Sequence, residues 1–297
     1  MSMRAALIGA LLAAGGTSGA LAIELPPVCA NDPLPLDTAP PLAELRKQVE
    51  ALNETDPTQA VRLMCMAIPR AQQELGADSV DLAWWVGALA TPLIAYMDQL
   101  AEAIPLLQFA QPILERHYGE QGEQVADIHI AYGWIYQRQR RLAESAAAWE
   151  RALAIRERHP GARKIELQKA LVGLALVRLQ QSEFAASRAA LTRASAILEE
   201  QGETVSEAAA AIENVFTNLS FREENYLEAK QHAERQIAIE KQLQTGIGQF
   251  VPAYVYLAQI LERQARAKAL GVDAQRQPRA RRSGWLNRIP VRCNATS

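Results

Sequence analysis

LAESAAAWERALAIRE, residues 142–157, decides the fold. Its larger apolar residues, Leu142, Trp149, Leu153 and Ile155, stand among alanines at close to helical spacing. Small side chains let a neighbouring helix approach closely. The preceding segment, 126–139, is helical by the same period. The pattern recurs: Leu142-Ala143-Glu144 repeats Leu100-Ala101-Glu102, an offset of 42. The same step leads on to Phe184 and Tyr226. It links Arg151, Arg193 and Arg235; it links Ile113, Ile155, Ile197 and Ile239; it links Ala110, Ala152 and Ala194. Agreement of several registers on one period marks a repeat array. Turns rich in Gly, Pro or polar residues close each second helix: 118–122, His159-Pro160-Gly161, Gln201-Gly202 and 245–248. Two helices per repeating unit predict an all-α solenoid of helix pairs.

The units resemble the tetratricopeptide repeat, whose pattern is W-x2-L-G-x2-Y, then A-x3-F, then a small residue. Unit 126–160 carries His129, Tyr132-Gly133, Tyr136, then Ser145, Trp149 and Ala152. The next carries Leu171, Leu174-Ala175, Ser187, Leu191 and Ala194. The third keeps Phe216, Ala229 and Ala233, and the unit before, 84–119, keeps Ala103, Leu107 and Ala110. The period of 42 exceeds the usual 34 of that repeat. It is similar to the longer kinesin light chain type, which carries His-Pro in the lengthened turn, as His159-Pro160 does. The resemblance spans about residues 40–265 and implies a right-handed α-solenoid of antiparallel helix pairs. Thr55-Asp56-Pro57 predicts a capped helix start for an added N-terminal unit. Residues 251–270 predict a closing helix. Pro69, Pro105 and Pro112 fall inside second helices and are expected to kink or shorten them.

Residues 1–22 have the layout of a secretory signal: Arg4, an uncharged apolar run, and Ala20-Leu21-Ala22 at the cut. The apolar run is too short for a bilayer, which needs roughly 20 residues. The domain plan is therefore a signal (1–22), a Pro-rich segment (23–40), the solenoid (41–270) and a basic tail (271–297). The expected location is periplasmic in a bacterium, or secreted, with no transmembrane segment in the mature chain. The whole chain has 31 basic and 33 acidic residues, net -2, which argues against a nucleic-acid partner. Cleavage would leave a body near -8 and a tail near +5, six Arg against Asp273. Weak contact of that tail with an anionic membrane surface is a further expectation. Hydrophobics at 49% with aromatics at 6% indicate a globular, not a disordered, chain. In an oxidising compartment the three cysteines predict a Cys29–Cys65 bridge, with simple burial of Cys65 on an apolar helix face as the alternative.

Nothing in the sequence points to catalysis, a cofactor or a metal. The four histidines, His117, His129, His159 and His232, are scattered, and no HExxH, P-loop, GxGxxG or zinc spacing occurs. Glu102, Glu144, Glu183 and Glu228 fall at helix starts, where they favour the helix dipole. By the resemblance, the first helix of each pair lines a concave surface at five positions, offsets −2, +1, +5, +8 and +9 from the Trp-type residue. In the unit of His129 these are Asp127, Ile130, Trp134, Gln137 and Arg138. Steps of 42 give Trp85, Ala88, Pro92, Ala95 and Tyr96; Lys169, Val172, Leu176, Leu179 and Gln180; and Ala211, Asn214, Asn218, Phe221 and Arg222. The expected partner-binding set is Trp85, Tyr96, Ile130, Trp134, Arg138, Lys169, Leu176, Asn218, Phe221 and Arg222. No unit has the Lys–Asn pair with which cytosolic co-chaperones of this family hold a C-terminal carboxylate. An apolar, aromatic stripe suits a partner protein or peptide, with a small ligand or envelope polymer as the alternative and a groove filled by the chain's own residues 23–39 as another.

Overall fold

Among the described residues eleven α-helices follow one another with no strand. The structure, a computed structural model, describes residues 23–31, 40–52, 55–159, 164–244 and 247–269. The expected signal 1–22, residues 32–39 of the Pro-rich segment and the tail 271–297, with Cys293, lie outside the described residues. The helices are α1 (Leu42–Leu52), α2 (Pro57–Leu75), α3 (Val80–Ala95), α4 (Leu100–Tyr118), α5 (Glu123–Arg138), α6 (Leu142–Arg158), α7 (Lys164–Gln180), α8 (Phe184–Gln201), α9 (Glu207–Arg222), α10 (Tyr226–Gln242) and α11 (Ile247–Ala269). They fall into two compact units, Met1–Ala162 and Arg163–Ser297. In each unit a helix packs on its successor, and the first helices of adjacent pairs also touch, α3 with α5 and α7 with α9. This is the all-α solenoid arrangement of antiparallel pairs.

The second helices start at Leu100, Leu142, Phe184 and Tyr226, in steps of 42. The turn before each has one left-handed residue at the same step: Asp98, Arg140, Ser182 and Glu224, φ between 54° and 65°. In three of these turns the next N–H reaches back five residues: Arg141 to Tyr136 O, Glu183 to Arg178 O and Asn225 to Ser220 O, at 2.8–2.9 Å. Such a bond satisfies a carbonyl that the helix end would leave open. It offsets the roughly 1–2 kcal/mol that a non-glycine residue spends in the left-handed region.

The α2 start follows the sequence rule. Asp56 accepts from Gln59 N at 3.0 Å, and Pro57 opens the helix, where a missing N–H is no loss. The internal prolines do not shorten their helices. Both α2, with Pro69, and α4, with Pro105 and Pro112, run for 19 residues. Flanking packing compensates the lost bonds: Ile68, Leu106, Leu107 and Ile113 beside them are all buried.

The core of the first unit is aliphatic, built on Leu45, Met64, Ile68, Leu82, Leu89, Leu106, Ile135 and Ile155. Ile23, Leu25 and Val28 pack against it, ahead of the first helix. A short 3-10 turn, Pro27–Asn31, brings Cys29 to Cys65 on α2, and the two are joined with Cα atoms 5.2 Å apart. In α5 and α6, Trp149 is buried over Gly133, and Ser145 Oγ donates to Gly133 O at 2.7 Å. In the second unit Ser187 Oγ donates to Ala175 O at 2.8 Å, the same bond 42 residues on.

Candidate functional site

The first unit has a cleft of about 350 Å³ between α1, α3, α4 and α5. Trp84, Gly87, Ala88 and Thr91 of α3 form one wall, and Ile128 and Ala131 of α5 the other. Leu107, Leu114 and Tyr118 line it from α4. The rim is polar: Arg46, Asp81, Gln124 and Asp127. The Arg46 guanidinium lies 3.9 Å from the Trp84 ring centroid and 3.6 Å from Asp81, a stacked cation held by two carboxylates, since Glu50 accepts from its Nε at 3.2 Å. Asp127 accepts from Arg156 Nη2 at 2.5 Å, and Glu123 from Arg156 Nη1 at 2.8 Å.

The structure moves the expected set by one residue on α3. Trp85 is 2% exposed and belongs to the core; Trp84, edge-on to it at 5.0 Å, lines the cleft. The cause lies at the end of the helix. Pro92 O accepts from both Tyr96 N (3.0 Å) and Met97 N (3.3 Å), and Gln99 N reaches back six residues, to Leu93 O. One extra residue therefore stands between α3 and its turn. It rotates everything upstream by about 100°. Counted from the turn, the positions expected to line the concave surface fall on Trp84, Gly87, Thr91, Ile94 and Ala95 of α3, of which Ile94 is buried. The same correction aligns Ala90 with Gly133, Ala175 and Thr217, all four buried small residues.

The other expected residues divide. Tyr96 (59%) and Trp134 (36%) are exposed, and Trp134 stands edge-on to Trp149 at 5.1 Å. Ile130, Leu176 and Asn218 are half-buried. Lys169 is exposed, 3.8 Å from Glu166. Phe221 is flanked by Tyr226 and by Tyr256 of α11, each ring 5.6 Å away, with Arg263 over its face at 4.8 Å. It is a packing residue between α9, α10 and α11. Both arginines at the +9 position staple a turn of the preceding pair: Arg138 donates to Asp98 at 2.7 Å, Arg222 to Leu179 O at 2.5 Å and Ser182 Oγ at 3.3 Å.

Sequence reading missed an ionic network in the second unit. Arg188 of α8 holds Glu223 and, at 2.7 Å, Glu228, which also accepts from Ser220 and Asn225. Burial alone would raise the Glu228 pKa; hydrogen bonds from Arg188 and Ser220, with the charge of Arg188, hold it below the usual carboxylate range. His232 stacks on Phe216 and contacts Glu213 at 2.6 Å, beside Arg235. The sequence showed Glu228 only as a helix-start carboxylate. Among the described residues no His, Cys, Asp and Glu group has a metal-binding arrangement, and no helix is long and apolar enough to cross a membrane.

No family model matches the chain, and no curated protein matches it. Solved structures do. A protein of Podosopora anserina described as a putative kinesin light chain with nearly identical TPR-like repeats aligns at TM-score 0.53 and 17% identity, over 70% of this chain and all of that one. A substituted form of the same protein aligns at 0.54 and 17%, over 68% of this chain and 97% of that one. BtubC (BKLC) from P. vanneervenii aligns at 0.53 and 17%, over 87% of this chain and 100% of that one. These likenesses establish the fold: an all-α solenoid of TPR-like helix pairs.

Proposed function

We propose that this protein is an exported, non-enzymatic scaffold that holds a partner protein or peptide on the first-helix face of its N-terminal unit. The observation that carries the reading is the cleft on Trp84. It is apolar at its floor, polar at its rim, and lies where TPR-like pairs expose their first helices. Trp134 adds exposed aromatic surface on α5, and Tyr96 adds more at the C-cap of α3; aromatic anchors buried at an interface are worth about 2 kcal/mol or more. Export rests on the signal-like 1–22, and a Cys29–Cys65 bridge accords with an oxidising compartment. The natural setting is a cell-envelope or secreted assembly.

The test is mild crosslinking of the tagged protein in its native envelope fraction, followed by mass spectrometry. A partner recovered with wild type and lost with Trp84→Ala and Trp134→Ala, both still folded, supports the reading. A partner retained by both variants removes the cleft from it. A second reading draws on the volume, about 350 Å³, which falls within the range of small-ligand sites. It predicts saturable heat on titrating envelope sugars or glycan fragments into the purified chain.

A further inference from the structure

The charges of the chain are not evenly shared. Residues 23–162 hold 19 Asp and Glu against 11 Lys and Arg, a formal -8, whereas residues 163–269 hold 13 of each. The imbalance is sharpened by how the ion pairs are laid down. Arg46–Asp81, Arg116–Asp78, Arg138–Asp98, Arg151–Glu120 and Arg156–Glu123/Asp127 join different elements of the first unit, and in each the carboxylate is the more exposed partner. The extreme case is at the cleft. Arg156 has 5% of its side chain exposed and lies beneath Asp127, which shows 64%. Asp81, on the opposite wall, shows 65%. Of these five arginines Arg156 alone is buried; Arg46, Arg116, Arg138 and Arg151 keep 38–65% of their side chains exposed, but each carboxylate stands further out than its cation.

From this we infer that the cleft takes a basic segment of a partner protein, with one large aliphatic or aromatic side chain flanked by Lys or Arg. The inference rests on the scaffold reading above and names the chemistry of its partner. The apolar side chain enters between Ala88, Leu107, Ile128 and Ala131, and the flanking cations meet Asp81 and Asp127. Arg46 on Trp84 is the template inside the chain itself: an aromatic face and two carboxylates holding one guanidinium. A unit of net -8 also draws a basic segment toward it at long range, an attraction that salt screens.

A random dodecapeptide display library, panned against the full chain, tests this without assuming a sequence. The expected outcome is enrichment of peptides with net positive charge and at least one Leu, Ile, Phe or Trp. A synthetic enriched peptide should bind about tenfold more weakly at about 0.5 M than at about 0.05 M salt. Asp81→Lys should weaken it about tenfold. Glu234→Lys in α10, the same change in net charge placed in the second unit, should leave it within about twofold. Thr91→Tyr, which fills the cleft, should abolish it. Enriched peptides that are neutral or acidic, yet blocked by Thr91→Tyr, overturn the charge inference and leave the cleft as the binding site. Peptides insensitive to Thr91→Tyr, or no enrichment over a folded control solenoid, overturn both.

Discussion

A Cβ built on Gly133 would stand 2.7 Å from Cε2 and 2.8 Å from Nε1 of Trp149. The buried indole therefore needs glycine at this point of α5. The equivalent positions in the next pair are Ala175 and Leu191, a larger residue facing a smaller one. Gly133→Ala would gain up to about 1 kcal/mol of helix propensity, but overpacking a core costs about 1–3 kcal/mol. We expect a net loss of about 1–2 kcal/mol in urea unfolding followed by tryptophan fluorescence. The double variant Gly133→Ala, Trp149→Leu should recover most of it, because it recreates the Ala–Leu combination. Additive losses in the pair would refute the contact.

Cys29 and Cys65 close a loop of 36 residues and tie the turn Pro27–Asn31 to α2. Cross-linking a loop of this length restricts the unfolded chain by about 3–4 kcal/mol. Reduction, or Cys29→Ala with Cys65→Ala, should lower the stability of the first unit by about 2–4 kcal/mol. Four of the five tryptophans, Trp84, Trp85, Trp134 and Trp149, lie in that unit. Tryptophan fluorescence with and without reductant thus reads it selectively. An unchanged midpoint would mean that the packing of Ile23, Leu25 and Val28 alone holds the segment.

The repeat and its period were legible because 42-residue steps preserve side-chain size at buried positions, as at Ala110, Ala152 and Ala194. The turns within pairs were not. Asp98, Arg140, Ser182 and Glu224 carry no glycine or proline signal, and only backbone geometry shows that they share one left-handed conformation. The repeat register was legible on α5, where the pattern around His129 is strongest, and slips by one residue on α3. There the extra residue lies between the end of α3 at Ala95 and Leu100, where apolar spacing is silent about it. The fate of Arg138 and Arg222 was hidden too, since their partners, Asp98 and Leu179 O with Ser182, lie about forty residues away. The ionic network around Arg188 joins three helices through long side chains, and such contacts leave no periodic trace.

His129 should make stability fall with acid. Burial holds its imidazole below the usual 6.5, helped by the Arg151 charge and opposed by Glu115. The unfolded chain then binds the proton first. Stability is full above about pH 6.5 and declines as pH falls from there toward the lower folded value. His129→Gln should flatten this step between about pH 7.5 and about pH 5 in urea midpoints. Glu228 contributes at lower pH. Its depressed pKa gives stability that is present above the usual 4.5 and is lost below it. A wild-type profile that rises on acidification through about pH 6 would contradict the His129 account.

The adjacent tryptophans of α3 should behave oppositely when truncated. Trp85 is 2% exposed, so Trp85→Ala empties part of the core, a change that costs about 3–5 kcal/mol. Trp84 is half-buried at the cleft, and its ring carries the Arg46 guanidinium. Truncating it removes a partly exposed stack and a cleft wall, about 1–2 kcal/mol of stability, together with most of the binding to any peptide selected on the wild type. Thermal melts of both variants, run beside one binding assay, separate the roles. A stable Trp85→Ala that loses binding, beside a Trp84→Ala that unfolds, would put Trp85 at the cleft and Trp84 in the core. The expected result is the reverse, because the six-residue reach of Gln99 N to Leu93 O turns Trp85 inward and leaves Trp84 lining the cleft.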